Sequence, residues 1–185
     1  MVPIFDLWLP ILLAAVLVYV ASSVIHMLLG YHAGDQAPVP SEEKVRAALR
    51  EAKIPPGDYA TPKPASAREM SSPEFVAKRM DGPVAFITIL PAGPVRMGPM
   101  LVRWFLFLVA IGILVAYVTG RALGPGAEYL RVFQIAGAVA FIGYGVESWP
   151  QSIWWGRKWS MTLKNTFDGL VYAMLTAGVF AWLWP

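Results

Sequence analysis

The chain has 185 residues, 57% of them hydrophobic, and a positive mean hydropathy. That is too apolar for an ordinary soluble domain and too short for a transporter built from two repeated halves. It contains no cysteine, which excludes disulfides, iron–sulfur clusters, thiolate zinc sites and covalent c-type haem attachment. The net charge of +3 does not point to nucleic acid, because the basic residues lie beside apolar stretches rather than in one run.

Four apolar stretches, residues 7–29, 100–119, 130–146 and 167–184, each approach the ~17 to 25 residues needed to cross a bilayer. Lipid offers no hydrogen-bond partner to a peptide group, so stretches of this length close their backbone bonds internally, as α-helix. The expected fold is an all-α membrane protein. It is a four-transmembrane-helix bundle with a cytoplasmic insertion of short amphipathic helices and a small β-hairpin between helices 1 and 2. The expected segments are transmembrane helix 1 at 1–32, the cytoplasmic segment at 33–98, and transmembrane helices 2 to 4 at 99–185, with a Trp-rich interfacial segment at 148–166.

The first stretch lacks the basic flank of a cleavable signal peptide and is expected to be retained, with Pro10 tolerated in its first turns. His26 is its notable residue, because an imidazole in a span is costly unless it bonds to something. Ser22 and Gly30 lie one turn to either side, and this face could admit a neighbouring helix or a planar cofactor. As a neutral ligand His26 could hold haem iron or chlorophyll magnesium. A second histidine on a matching face is not expected, since His32 falls about 240° round a continued helix.

In the segment that follows, Ser41 with Glu42 and Glu43 reads as a helix start, and Val45, Ala48, Leu49 and Ala52 share one face. Pro55, Pro56 and Gly57 end that helix, and an extended stretch runs through Pro62 and Pro64. Ser72 with Pro73 opens a second helix, closed by Gly82, with Phe75, Val76 and Met80 available for burial. Residues 84–90 form a β-rich apolar run that is expected to fold back, through a turn at Pro91 to Pro94, on a second extended piece ending at Met97.

Three later stretches carry small residues at helical spacing, the pattern that lets backbones approach in lipid. They are Gly112, Ala116 and Gly120 in the second, Ala136 and Ala140 in the third, and Gly169, Ala173, Ala177 and Ala181 in the fourth. Bulky Phe105, Leu106, Phe107, Leu108 and Phe180 are expected on the opposite, outward faces. Arg103 and Glu147 are placed for an ion pair, and Lys164 and Asp168 for an i, i+4 pair. Between the third and fourth stretches, Trp149, Trp154, Trp155, Arg157, Lys158 and Trp159 suit the inner leaflet, rings at the headgroup level and cations near anionic lipid, or else a docking surface.

Twelve of the fifteen Lys and Arg residues fall between stretches one and two or three and four, and Arg103 sits in the first turn of the second stretch on the same side; only Arg121 and Arg131 fall on the other side. The positive-inside rule therefore places both long connections in the cytoplasm and both termini in the periplasm of a bacterial inner membrane. No paired-histidine motif, phosphate loop, nucleophile elbow or cysteine nucleophile occurs, so neither an enzyme nor a metal site is expected.

The segments IPPGDYATP (54–62), MGPMLVRWF (97–105), GRALGPGAEYL (120–130) and SIWWGRKWSMTLKNTFDGLVYAMLTAG (152–178) resemble a family of small four-span bacterial membrane proteins of uncharacterised function. The resemblance implies the same topology and carries over no catalytic residue. A further association is with small accessory subunits around photosynthetic reaction-centre and light-harvesting assemblies, which would imply contact with bound lipid, carotenoid or bacteriochlorophyll. The functional expectation is a non-enzymatic accessory subunit of a larger inner-membrane complex, with membrane lipids and other integral subunits as partners. The alternatives are a homo-oligomeric channel or carrier using Glu147, Asp168 or His26, and, ranked last, a lipid-acting membrane enzyme.

Overall fold

The structure is a computed structural model that describes all 185 residues. Nine elements follow in order, beginning with α1 (Trp8–Met27), α2 (Glu42–Glu51), β1 (Gly57–Thr61), α3 (Pro73–Asp81) and β2 (Ala85–Ile89). The remainder are the helices α4 (Met97–Ala122), α5 (Tyr129–Gly145), α6 (Trp149–Trp155) and α7 (Trp159–Trp182). A 3₁₀ turn, Ile4–Leu7, leads into α1, and another, Glu69–Ser71, precedes α3. The chain forms two units, Met1–Ala37 with Arg96–Pro185, and Pro38–Val95.

In the first unit α1, α4, α5 and α7 pack as a bundle, α5 against α7 most extensively. Three helices are long and apolar enough to cross a membrane, Ile4–Met27, Met97–Ala122 and Tyr129–Trp155. All nine small residues named above are buried in the bundle. Their effect is plainest where α7 meets α5, since a Cβ added at Gly169 would overlap the backbone of Gly145 and Tyr144. Only a residue without a side chain permits that approach. The ends are tied by hydrogen bonds: backbone Val2 N–H donates to Gly120 O (2.8 Å) and Gly126 N–H to Pro185 O (2.6 Å), and the Trp184 indole donates to Gly124 O (2.9 Å).

Two of the bulky residues expected outside are inside. Leu108 and Phe180 are fully buried, whereas Leu106 is 60% exposed. Successive helical residues are turned about 100° from one another, so four in a row cannot share an outward face. Arg103 and Glu147 form no ion pair; Glu147 lines an open cleft with Gln36, Gln151 and Arg157.

In the second unit β1 and β2 pair antiparallel, with Gly57 opposite Ile89, Tyr59 opposite Ile87 and Thr61 opposite Ala85. The strand at 84–90 therefore exists, but the expected hairpin with the piece ending at Met97 does not form. Pro91 and Pro94 offer no N–H to a ladder, and Met97 already begins α4. The partner comes from the stretch expected only to be extended, across α3, and Thr88 Oγ1 donates to Asp58 Oδ1 between the strands (2.7 Å). α3 starts as its residues dictate, the Ser72 hydroxyl accepting from Phe75 N–H (3.2 Å) with Pro73 behind it. Phe75 is buried, while Val76 and Met80 remain exposed. α2 differs from both: Ser41 adopts a left-handed conformation instead of capping, and the helix has no buried residue.

Candidate functional site

Polar side chains converge where α1 ends beside the first half of α7. The apolar periodicity of α1 stops at Met27, and Leu28 and Leu29 N–H both close on Val24 O (2.9 and 3.2 Å). Gly30 then takes φ +65°, a left-handed conformation that suits glycine, and turns the chain back over the helix end. Tyr31, His32 and Asp35 follow in tight turns, with Ala33 N–H on Gly30 O and Asp35 N–H on His32 O (both 3.0 Å).

This reversal brings His32 against His26, ring centroids 4.6 Å apart and planes nearly perpendicular. A continued helix would have sent the two rings to different sides. The glycine just past the last apolar turn was the signal that the helix stops, and it is the signal by which this histidine pair could have been found.

His32 is held at both ring nitrogens, Nδ1 lying 2.6 Å from Asp35 Oδ2 and Nε2 2.8 Å from Asp168 Oδ2. The other Asp168 oxygen accepts from the Tyr31 hydroxyl. Asp168 is buried, 3% exposed, so each of its oxygens needs such a partner. Lys164, one turn earlier on α7, does not pair with Asp168. Its ammonium donates to Asp35 Oδ1 and to the Tyr31 carbonyl (both 2.6 Å). The Lys164 ammonium and the His32 ring together hold the Asp35 carboxyl below its ordinary range. The sequence points to His26, Asp168 and Lys164, whereas nothing in the local spacing of Tyr31 and Asp35 marks them.

His26 itself makes no hydrogen bond and is exposed. The Ser22 side of its expected cofactor face is closed, since the Ser22 hydroxyl accepts from the Trp104 indole (3.0 Å) and donates to Tyr19 O (2.9 Å). Gly30 has left the helix. A planar ligand therefore has no continuous Ser22, His26, Gly30 surface to lie on.

The Trp-rich segment carries a helix of its own, α6, ended by Gly156, before α7 starts at Trp159. Trp149 packs edge-on to Trp159, and its indole donates to Thr166 Oγ1 (3.0 Å). Trp149, Trp154, Trp155 and Trp159 nevertheless stay between 40% and 76% exposed, and Arg157 and Lys158 are exposed with them. No protein-family model, curated protein or solved structure matches the chain.

Proposed function

We propose that the chain is a four-span, non-enzymatic accessory subunit of a larger bacterial inner-membrane complex, with its insertion and Trp-rich segment in the cytoplasm. α7 is the fourth span in this reading. At 24 residues it is about 36 Å long, enough for a hydrocarbon core of about 30 Å. Its low apolarity comes from its first half, where Lys164 and Asp168 are turned toward Tyr31, His32 and Asp35. Paired inward, those groups do not oppose insertion as lipid-facing charges would.

The observation that carries the subunit reading is α2. Val45, Ala48, Leu49 and Ala52 lie along one side of a strongly two-sided helix, and within the 38–95 unit Val45, Ala48 and Ala52 stay exposed while Leu49 is only half-buried. Such a face has its use in a partner's groove. Purification in mild detergent tests this. Co-purifying integral subunits that are lost in Val45→Glu support it, and migration as a bare 20.3 kDa chain contradicts it. A photosynthetic assembly is the candidate complex carried over from the resemblance; pigment bands in the absorbance spectrum of that material support it, and a spectrum without them removes it.

The channel or carrier reading loses ground because its three residues do not converge: His26 and Asp168 meet, and Glu147 is elsewhere. Liposome flux unchanged by replacing all three would eliminate it.

A further inference from the structure

We propose that His26, His32 and Asp168 form a binding site for a divalent first-row transition-metal cation of the zinc or iron(II) class, with Asp35 as the residue that positions His32. One donor atom from each of the three lies within 4.8 Å of the others. The inference goes beyond the accessory-subunit reading and does not depend on it.

The division of labour among these side chains is that of a metal site. A ligating histidine commonly gives its second ring N–H to a carboxylate, which fixes the tautomer and aims the free nitrogen at the ion. Asp35 is placed for that role at Nδ1, leaving Nε2 as the donor. The Tyr31 hydroxyl occupies one Asp168 oxygen and leaves the other, Oδ2, beside Nε2. With metal bonds of about 2.0 to 2.2 Å, two ligands on one ion stand about 3.0 to 3.5 Å apart, depending on whether they meet it at a right angle or tetrahedrally. The 2.8 Å between His32 Nε2 and Asp168 Oδ2 lies just inside that spacing, so a small outward shift of either side chain admits the ion.

His26 supplies the third ligand. Its ring has no competing hydrogen bond and can turn toward the other two. Its exposure gives an ion a way in and leaves coordination positions open on that side.

The charge balance and donor chemistry agree. Lys164 offsets Asp35, so the charge presented to a cation is that of Asp168, with two imidazoles beside it. Two nitrogens and one carboxylate oxygen suit zinc, iron(II), cobalt or nickel, whereas magnesium and calcium prefer all-oxygen sites. A purely structural network would explain why Tyr31, His32, Asp35, Lys164 and Asp168 meet. It would not require the unbonded ring of His26 to face them.

The test uses the full-length chain in mild detergent, with any histidine tag removed, titrated with cobalt(II). The expected result is saturable binding of one equivalent, seen as a visible absorption band of nitrogen-coordinated cobalt and abolished by zinc(II). His26→Ala breaks no hydrogen bond, so it should elute as a monodisperse folded species and lose at least tenfold in cobalt affinity. Asp35→Asn, which keeps all three ligands, should weaken binding about 10- to 100-fold. A wild-type protein showing no one-equivalent cobalt band, or a folded His26→Ala variant with unchanged affinity, overturns the proposal.

Discussion

The helical bundle and α2 of the 38–95 insertion both carry clear helical periodicity, yet only in the bundle does that pattern predict burial. Ala136 and Ala140 on α5, and Ala173 and Ala177 on α7, lie a turn apart in sequence and are buried. On α2 the apolar residues are spaced as regularly and none is buried. The difference lies in what surrounds each helix. Periodicity states which face will be covered; it does not say whether the cover belongs to the same chain. In the bundle two neighbouring helices supply it for each helix, and for α2 the 38–95 unit covers no more than part of Leu49.

That contrast can be broken deliberately. The largest effect is expected at the α5–α7 seam: Gly169→Leu must separate the helices at Gly145 and should destabilise the bundle by about 3 kcal/mol or prevent its formation. Thermal unfolding followed by helical ellipticity, with size-exclusion chromatography for monodispersity, measures it. In the insertion, Phe75→Ala removes a buried aromatic and should cost about 3 kcal/mol locally. Limited proteolysis should then open residues 38–95 while the bundle melts as before, which separates the two units directly.

A smaller loss is expected at the turn after α1. Asp168→Asn removes the charged acceptor of His32 and should cost about 2 kcal/mol, measured by the same melt. The smallest effect is expected on α2. Val45→Glu should change the stability of the isolated chain by less than about 0.5 kcal/mol, since Val45 is exposed, while abolishing recovery of partner subunits. A large loss of intrinsic stability in that variant would mean that the apolar face of α2 is covered by its own chain.

Much of the bundle was legible in the sequence because its determinants are local. Apolar stretches of span length, small residues at i, i+4 and the Ser72, Pro73 helix start all act within a turn or two. What escaped depended on distant partners. The β2 strand was recognisable, but its pairing with residues 57–61 spans α3 and had to be chosen against a nearer segment disabled by two prolines. The polar site was half legible. His26, Lys164 and Asp168 stood out as ionisable groups beside apolar helices, whereas the role of His32 depended on seeing that Gly30 ends the helix and reverses the chain. Lys164 and Asp168 were close enough to pair with each other, and each found a better partner in the turn after α1. Lys164, Asn165 and Asp168 in its first half make α7 less apolar than the other bundle helices.

The proposed crossing of the membrane by α7 with the other three helices is directly measurable because the chain has no cysteine, so that any introduced thiol is the only one present. Lys158→Cys and Pro185→Cys flank α7, and Pro125→Cys marks the α4–α5 connection. A membrane-impermeant maleimide applied to intact cells permeabilised only at the outer membrane should label Pro185→Cys and Pro125→Cys, and reach Lys158→Cys only after the inner membrane is opened. Labelling of Lys158→Cys and Pro185→Cys from the same side would contradict the four-span account.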